Sequence, residues 1–305
     1  MKIQQLVILF CLAASIVTAQ PVEVTDAHGE TVVIHSAERI VSLNGSTTEI
    51  LFALGVGANV VGCDASSTYP KHAKETMPSV GYQYRLNAEG ILSLRPTLVI
   101  GRSDVKPPQV IEQLRMAGVT VLLFKEPRTF DEAKQRLHTI GKAVDRQERA
   151  TALISSLEKD IETLKSKRAA RRDQAKLKAL FLYLRGPQTA FVLGRDSGPG
   201  AMLELVGAAN AAGKIKGTKP MTAEAVIAAQ PEVYVLFESG LKSIGGVEGL
   251  LKVPGLAQTP AGRNKRVVAM DGLYLSGFGP RCGRAALDLF RGIYESEGHF
   301  VAKGE

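Results

Sequence analysis

The chain has 305 residues, 45% of them hydrophobic, with 38 Lys+Arg against 30 Asp+Glu and a net charge of +8. That length suits two domains, and the positive balance suits nucleic acid, an anionic membrane or an anionic small ligand. The basic residues are scattered, apart from the run KSKRAARR at 165–172, which reads as a solvated helical face.

The first 19 residues, MKIQQLVILFCLAASIVTA, read as a secretory signal peptide: a positive start, an apolar centre too short to span a bilayer, and small residues at the end. Cys11 follows the bulky Phe10, where a lipid-modified cysteine wants a small neighbour, so the expectation is a soluble exported protein without a lipid anchor. No later stretch is long and apolar enough to cross a membrane. Export argues against a nucleic-acid partner. After cleavage only Cys63 and Cys282 remain, too few for a disulfide framework or a four-cysteine zinc site. Nothing in the sequence says whether they meet.

Beyond the leader, one unit is written twice. RIVSLNGSTTEILFALG (39–55) and AFVLGRDSGPGAMLELVG (190–207) each read as a strand, a Gly/Ser turn and an apolar helix. NAEGILSLRPTLVI (87–100) and TAEAVIAAQPEVYV (222–235) each read as a short helix carrying Glu89 or Glu224, a proline stop at Pro96 or Pro231, and a buried strand. Strands alternating with helices imply parallel sheets covered on both faces. The fold expected is α/β: two Rossmann-like lobes with parallel sheets, residues 20–129 and 173–305, joined by one long helix over 130–172. Apolar residues at Leu137, Ile140, Val144, Leu153, Leu157, Ile161 and Leu164 carry that helix, which would reach about 60 Å. Gly141 weakens its front and leaves room for two helices.

The first lobe has extra material. Gly55 and Glu89 are 34 positions apart, whereas Gly207 and Glu224 are 17 apart. The insert holds CDASSTYPKH (63–72), just past the strand NVVGCD, and ligands of open α/β sheets bind beyond such strand ends. Tyr69 is either a loop tyrosine packed on its own lobe or a hard oxygen donor suited to ferric iron or to the iron of haem. Lys71, His72 and Arg85 are candidate cations beside it, and Tyr82, Tyr84, Met221 and Tyr274 could line a flat apolar ligand. In the second lobe Arg195 stands at a strand end expected to face the cleft. Arg281, in GFGPRCGRAALDLF, either holds an anion at a helix start or pairs with a carboxylate that fixes the last helix to its lobe. The glycines of GVGANVVG follow a helix, not a strand, and fail as a dinucleotide motif. No nucleophile elbow, phosphate loop or paired catalytic carboxylates occur, so no enzyme is expected.

RIVSLNGSTTEILFALG, the STYP loop, VGYQYRLNAEGILSLRP, KPMTAEAVIAAQPEV and the run from SGLKSIGG to SGFGPR together resemble the haem-binding substrate-binding proteins of bacterial haem ABC importers. That family belongs with the vitamin B12 and ferric-siderophore carriers. The resemblance implies ferric haem as cargo, Tyr69 as its axial ligand and Lys71 as a hydrogen-bond partner of the phenol oxygen. Tyr82, Arg85, Arg195, Met221, Tyr274 and Arg281, named above for their chemistry, are the further candidates for contact with that haem. The resemblance also implies Glu89 and Glu224 as the carboxylates that dock on an inner-membrane permease dimer with its ATPase. The carrier would be a monomer; a ferric siderophore or corrinoid is the alternative cargo.

Overall fold

The computed structural model describes residues 20–186 and 189–304, and the expected leader lies outside them. The first lobe is built on four parallel strands, in the order Val60–Cys63, Ile40–Ser42, Leu98–Arg102, Thr120–Phe124. The chain begins in the middle of this sheet and proceeds to both sides, which opens a crevice at the carboxyl ends beside Ile40–Ser42. A hairpin the sequence reading did not anticipate, Val22–Thr25 with Thr31–Ile34, precedes it.

The second sheet has seven strands and is mixed, a correction to the all-parallel expectation. Lys178–Leu184, Val233–Phe237, Val267–Met270 and His299–Ala302 are parallel. Ala190–Leu193 returns antiparallel beside Lys178–Leu184, and Thr218–Pro220 pairs antiparallel with it at the edge. The reason is loop length: the few residues between Leu184 and Ala190 can close a hairpin, whereas a parallel crossover needs about a dozen.

The segment 130–172 is two helices, Phe130–Ala143 and Gln147–Ala169, rather than one. Thr129 and Glu132 form a capping box at the first start. The break falls at Asp145, whose φ is 52°, a left-handed residue that turns the chain back. Gly141 lies at the crossing: a Cβ there would stand 2.4 Å from Cβ of Ala150. The longer helix therefore spans about 34 Å, not 60 Å. No described helix is long and apolar enough to cross a membrane.

These helices stitch the lobes together. One continuous buried cluster runs from Ile40, Leu98 and Leu122 of the first sheet, through Leu137, Ile140, Leu157 and Leu164, to Phe181, Val235, Val268 and Phe290 of the second lobe. Each sheet's other face has its own core, around Val99 and Leu114 in one lobe and Leu236 and Leu256 in the other.

Candidate functional site

The carboxyl ends of both sheets look into one cleft. A cavity of about 490 Å³ fills it, within the usual range for small-molecule sites. The first lobe contributes Asn44, Ser46, Thr68, Tyr82 and Arg102 to its wall, and the second contributes Tyr183, Phe237, Asp271 and Ser276.

The loop that carries Tyr69 is pinned from beneath. Asn44 caps the helix Gly45–Ala53, its side chain accepting from the Ser46 N–H at 3.1 Å and donating to Gln83 at 3.0 Å. Ser66 accepts from the Gly45 N–H at 2.9 Å and donates to Asp64, and Ser67 shares a 2.7 Å bond with Thr48. Burial pushes the Asp64 carboxyl up, while the Ser66 and Ser67 bonds pull it back. Loop and helix touch so closely that a Cβ on Gly45 would sit 2.3 Å from the Ser66 carbonyl oxygen. Gly45→Ala is therefore expected to destabilise the protein by about 1–3 kcal/mol and to weaken ligand binding by displacing this loop. Thermal melts and ligand titration of the variant measure both.

Tyr69 is half-buried just beyond this anchor. The Arg281 guanidinium carbon lies 3.5 Å from the centre of its ring, a cation–π stack. Arg281 is fixed on its other side by Glu49, with Nε to Oε1 at 2.7 Å and Nη2 to Oε2 at 3.0 Å, and Nη1 donates to the Gly304 carbonyl. Burial works against the Arg281 charge, but the bond to Glu49 and its field hold the guanidinium above its usual range. Of the two readings of Arg281, the pairing is observed, with a correction: its carboxylate belongs to the other lobe. The contact joins the helix Gly45–Ala53 to the start of the last helix, Cys282–Tyr294.

Other expected residues are distributed differently. Tyr82 is 47% exposed, lines the cavity and packs edge-on against Tyr84. Burial raises both phenols. Tyr274 is a correction: it is 3% exposed, packs in the shared core and donates its hydroxyl to Asp288 at 2.8 Å, so its ring offers nothing to the cleft. Burial, reinforced by Asp288, pushes its phenol far up. Met221 packs on the core of its own sheet and does not line the cavity. Like Tyr69 and Arg281, Lys71, Arg85 and Arg195 lie outside the cavity wall; these last three are exposed, and none of them forms an ion pair among the described residues. His72 lies edge-on to Phe52 of its own lobe, with ring centres 5.1 Å apart.

Several cleft residues escaped the sequence reading. Tyr183 and Phe237 supply the aromatic surface from the second lobe that Met221 and Tyr274 do not. Arg102 is clamped by Asp104 at 2.6 and 2.8 Å and by Glu126 at 2.6 Å. Arg136 reaches the cavity from the helix Phe130–Ala143. A strand ending in arginine was visible in LVIGR; the single arginine of an amphipathic helix carried no signal.

Glu89 and Glu224 occupy matched places. Each is exposed in the first turn of a short helix, Ala88–Leu92 capped by Asn87 and Ala223–Ala229 capped by Thr222. Their charges suit those helix starts as well as any partner.

Cys63 and Cys282 are both free and buried. Burial raises both thiols, pushing Cys282 up to about 12. Neither is expected to react with a thiol reagent at pH 8 in the native state, and both are expected to react in denaturant. Unfolded Cys282 ionises near 9.0. The stability it contributes is therefore complete below that pH and is lost as pH rises through about 12.

A family model described as periplasmic binding protein matches residues 40–273. The solved periplasmic heme-binding protein RhuT from Roseiflexus sp. RS-1, in apo form, is 46% identical with a TM-score of 0.80, covering 85% of this chain and 99% of that one. An uncharacterised ABC transporter substrate-binding lipoprotein, YvrC of Bacillus subtilis (strain 168), is 31% identical over 278 residues, 90% of this chain and 86% of its own length. The vitamin B12-binding protein of Yersinia pestis (strain Pestoides F) is 27% identical over 209 residues, 68% of this chain and 71% of its own.

Proposed function

The chain belongs to the periplasmic binding protein family, and from that premise we propose that it captures ferric haem and delivers it to an inner-membrane ABC importer. The observation that carries this reading is the 46% identity to a heme-binding protein along 99% of that protein's length. The cleft supports it chemically. A metal held through Tyr69 alone must bring its other ligands, as an iron porphyrin does. Tyr82, Tyr183 and Phe237 give that macrocycle apolar walls from both lobes. The stack of Arg281 on Tyr69 holds the phenol in one orientation before cargo arrives.

Release follows from docking. Glu89 and Glu224, one on each lobe, would engage two equivalent halves of a permease dimer powered by its ATPase. On this reading the carrier acts as a monomer in the periplasm, exported by cleavage after residue 19. The intact mass of the exported protein tests that last point.

The cargo is tested by titrating the protein with hemin under visible spectroscopy, then competing with cyanocobalamin. Saturable hemin binding, with a spectrum of tyrosinate-ligated ferric haem and no displacement by the corrinoid, is the expected result. Binding of cyanocobalamin in place of hemin would overturn the haem assignment and favour the likeness to the vitamin B12-binding protein.

A further inference from the structure

Arg136 is a charge that the fold leaves uncompensated. The residue is 4% exposed, in the helix Phe130–Ala143, and borders both the inter-lobe cavity and a second pocket lined by Asp26, Glu126 and Glu132. Its Nη2 donates from this connecting helix to the carbonyls of Gly277 at 2.9 Å and Phe278 at 2.8 Å in the second lobe. Its Nε is buried with no hydrogen-bond partner, and Nη1 has none among the described residues.

No carboxylate of the described residues pairs with it. Glu126, on the same cavity wall, is held by Arg102 at 2.6 Å, and Glu49 is held by Arg281 at 2.7 Å. Two carbonyls satisfy one nitrogen but do not neutralise a cation. Burial accordingly depresses the guanidinium to about 10, despite the opposing fields of Cys282, Glu49 and Glu126. A buried cation without a counter-ion is costly, and its natural complement is an anion arriving from the cavity.

We propose that Arg136 receives a carboxylate of the cargo from the cleft side, and so selects a tetrapyrrole bearing free carboxylates over one whose side chains are esters or amides. This rests on the haem-carrier reading, and it assigns the carboxylate to a buried residue of the cavity lining rather than to the exposed Lys71, Arg85 or Arg195. A guanidinium–carboxylate bond in a low-dielectric floor is charge-assisted and strong. Arginine suits the task because it keeps its charge when buried. The same guanidinium grips Gly277 and Phe278, so the cargo carboxylate would meet a group already tying the connecting helix to the second lobe.

The test compares hemin with hemin dimethyl ester, which keeps the iron and the macrocycle and removes both carboxylate charges. The native protein is expected to bind hemin about 10- to 100-fold more tightly than the diester. Arg136→Gln is expected to lose that preference, the ratio of hemin to diester affinity falling toward one, and Arg136→Lys to keep part of it. The comparison on native protein needs no variant to fold, and circular dichroism checks the two that are made. Equal binding of hemin and diester by the native protein would overturn the proposal while leaving the haem carrier intact. A full preference surviving in Arg136→Gln would also overturn it, placing the carboxylate receptor elsewhere. If neither porphyrin binds, the haem reading fails and this proposal fails with it.

Discussion

Tyr69→Phe is expected to lower hemin affinity by more than about 100-fold, because losing even a partner behind a metal ligand costs 10- to 100-fold. The change removes one oxygen and keeps the ring, so the Arg281 stack and the loop anchored through Asp64, Ser66 and Ser67 should survive. The melting temperature should therefore stay close to that of the parent. What residual binding remains should lack the visible charge-transfer absorption of an iron–phenolate bond. A variant that melts normally and still binds hemin with parental affinity and spectrum would exclude Tyr69 as the ligand. His72 is a poor substitute, since its ring is engaged with Phe52.

The second large effect is on stability. Glu49→Gln leaves Arg281 without its carboxylate at a contact where the Glu49 side chain is 4% exposed and the arginine 20%. Breaking a buried pair from one side typically costs about 3–5 kcal/mol, and the partial exposure of Arg281 places this case near the lower bound. The double variant Glu49→Gln with Arg281→Gln should recover part of the loss, because no charge is then stranded. Chemical denaturation of the parent, both single variants and the double variant closes the cycle. A coupling energy near zero would show that this inter-lobe contact contributes no more than an exposed surface pair. Arg281→Gln should in addition loosen Tyr69, which the iron–phenolate spectrum would register as a broadened or shifted band.

The sequence made the outline of the site legible for a specific reason. The insert between Gly55 and Glu89 broke an internal repeat, and its tyrosine stood past the end of a readable strand. The short helices with Glu89 and Glu224 were equally visible, because caps, proline stops and strands recur in register. What stayed hidden were relations across long distances. The partner of Arg281 is Glu49, 232 positions away, and no local pattern couples them. Tyr274 sits in a segment that reads as loop and short helix, yet the last helix covers it and Asp288 satisfies its hydroxyl. The turn at Asp145 lacks glycine or proline, so the apolar spacing ran through it as though the helix continued. Arg136 follows the same logic: a lone arginine on an amphipathic helix is ordinarily solvated, and only tertiary packing buries it.

The core that threads both lobes makes the molecule a poor candidate for modular exchange. Ile40 and Leu98 at one end and Phe290 at the other belong to the same buried cluster, so neither half can complete its interior until nearly the whole chain is available. A ribosome or an export channel that has released only the first half would present a sheet with one apolar face still bare. The chain should consequently remain pliable until its last helix emerges, then close in one cooperative step. Chimaeras that graft one lobe onto a relative would have to carry the matching helix pair with it.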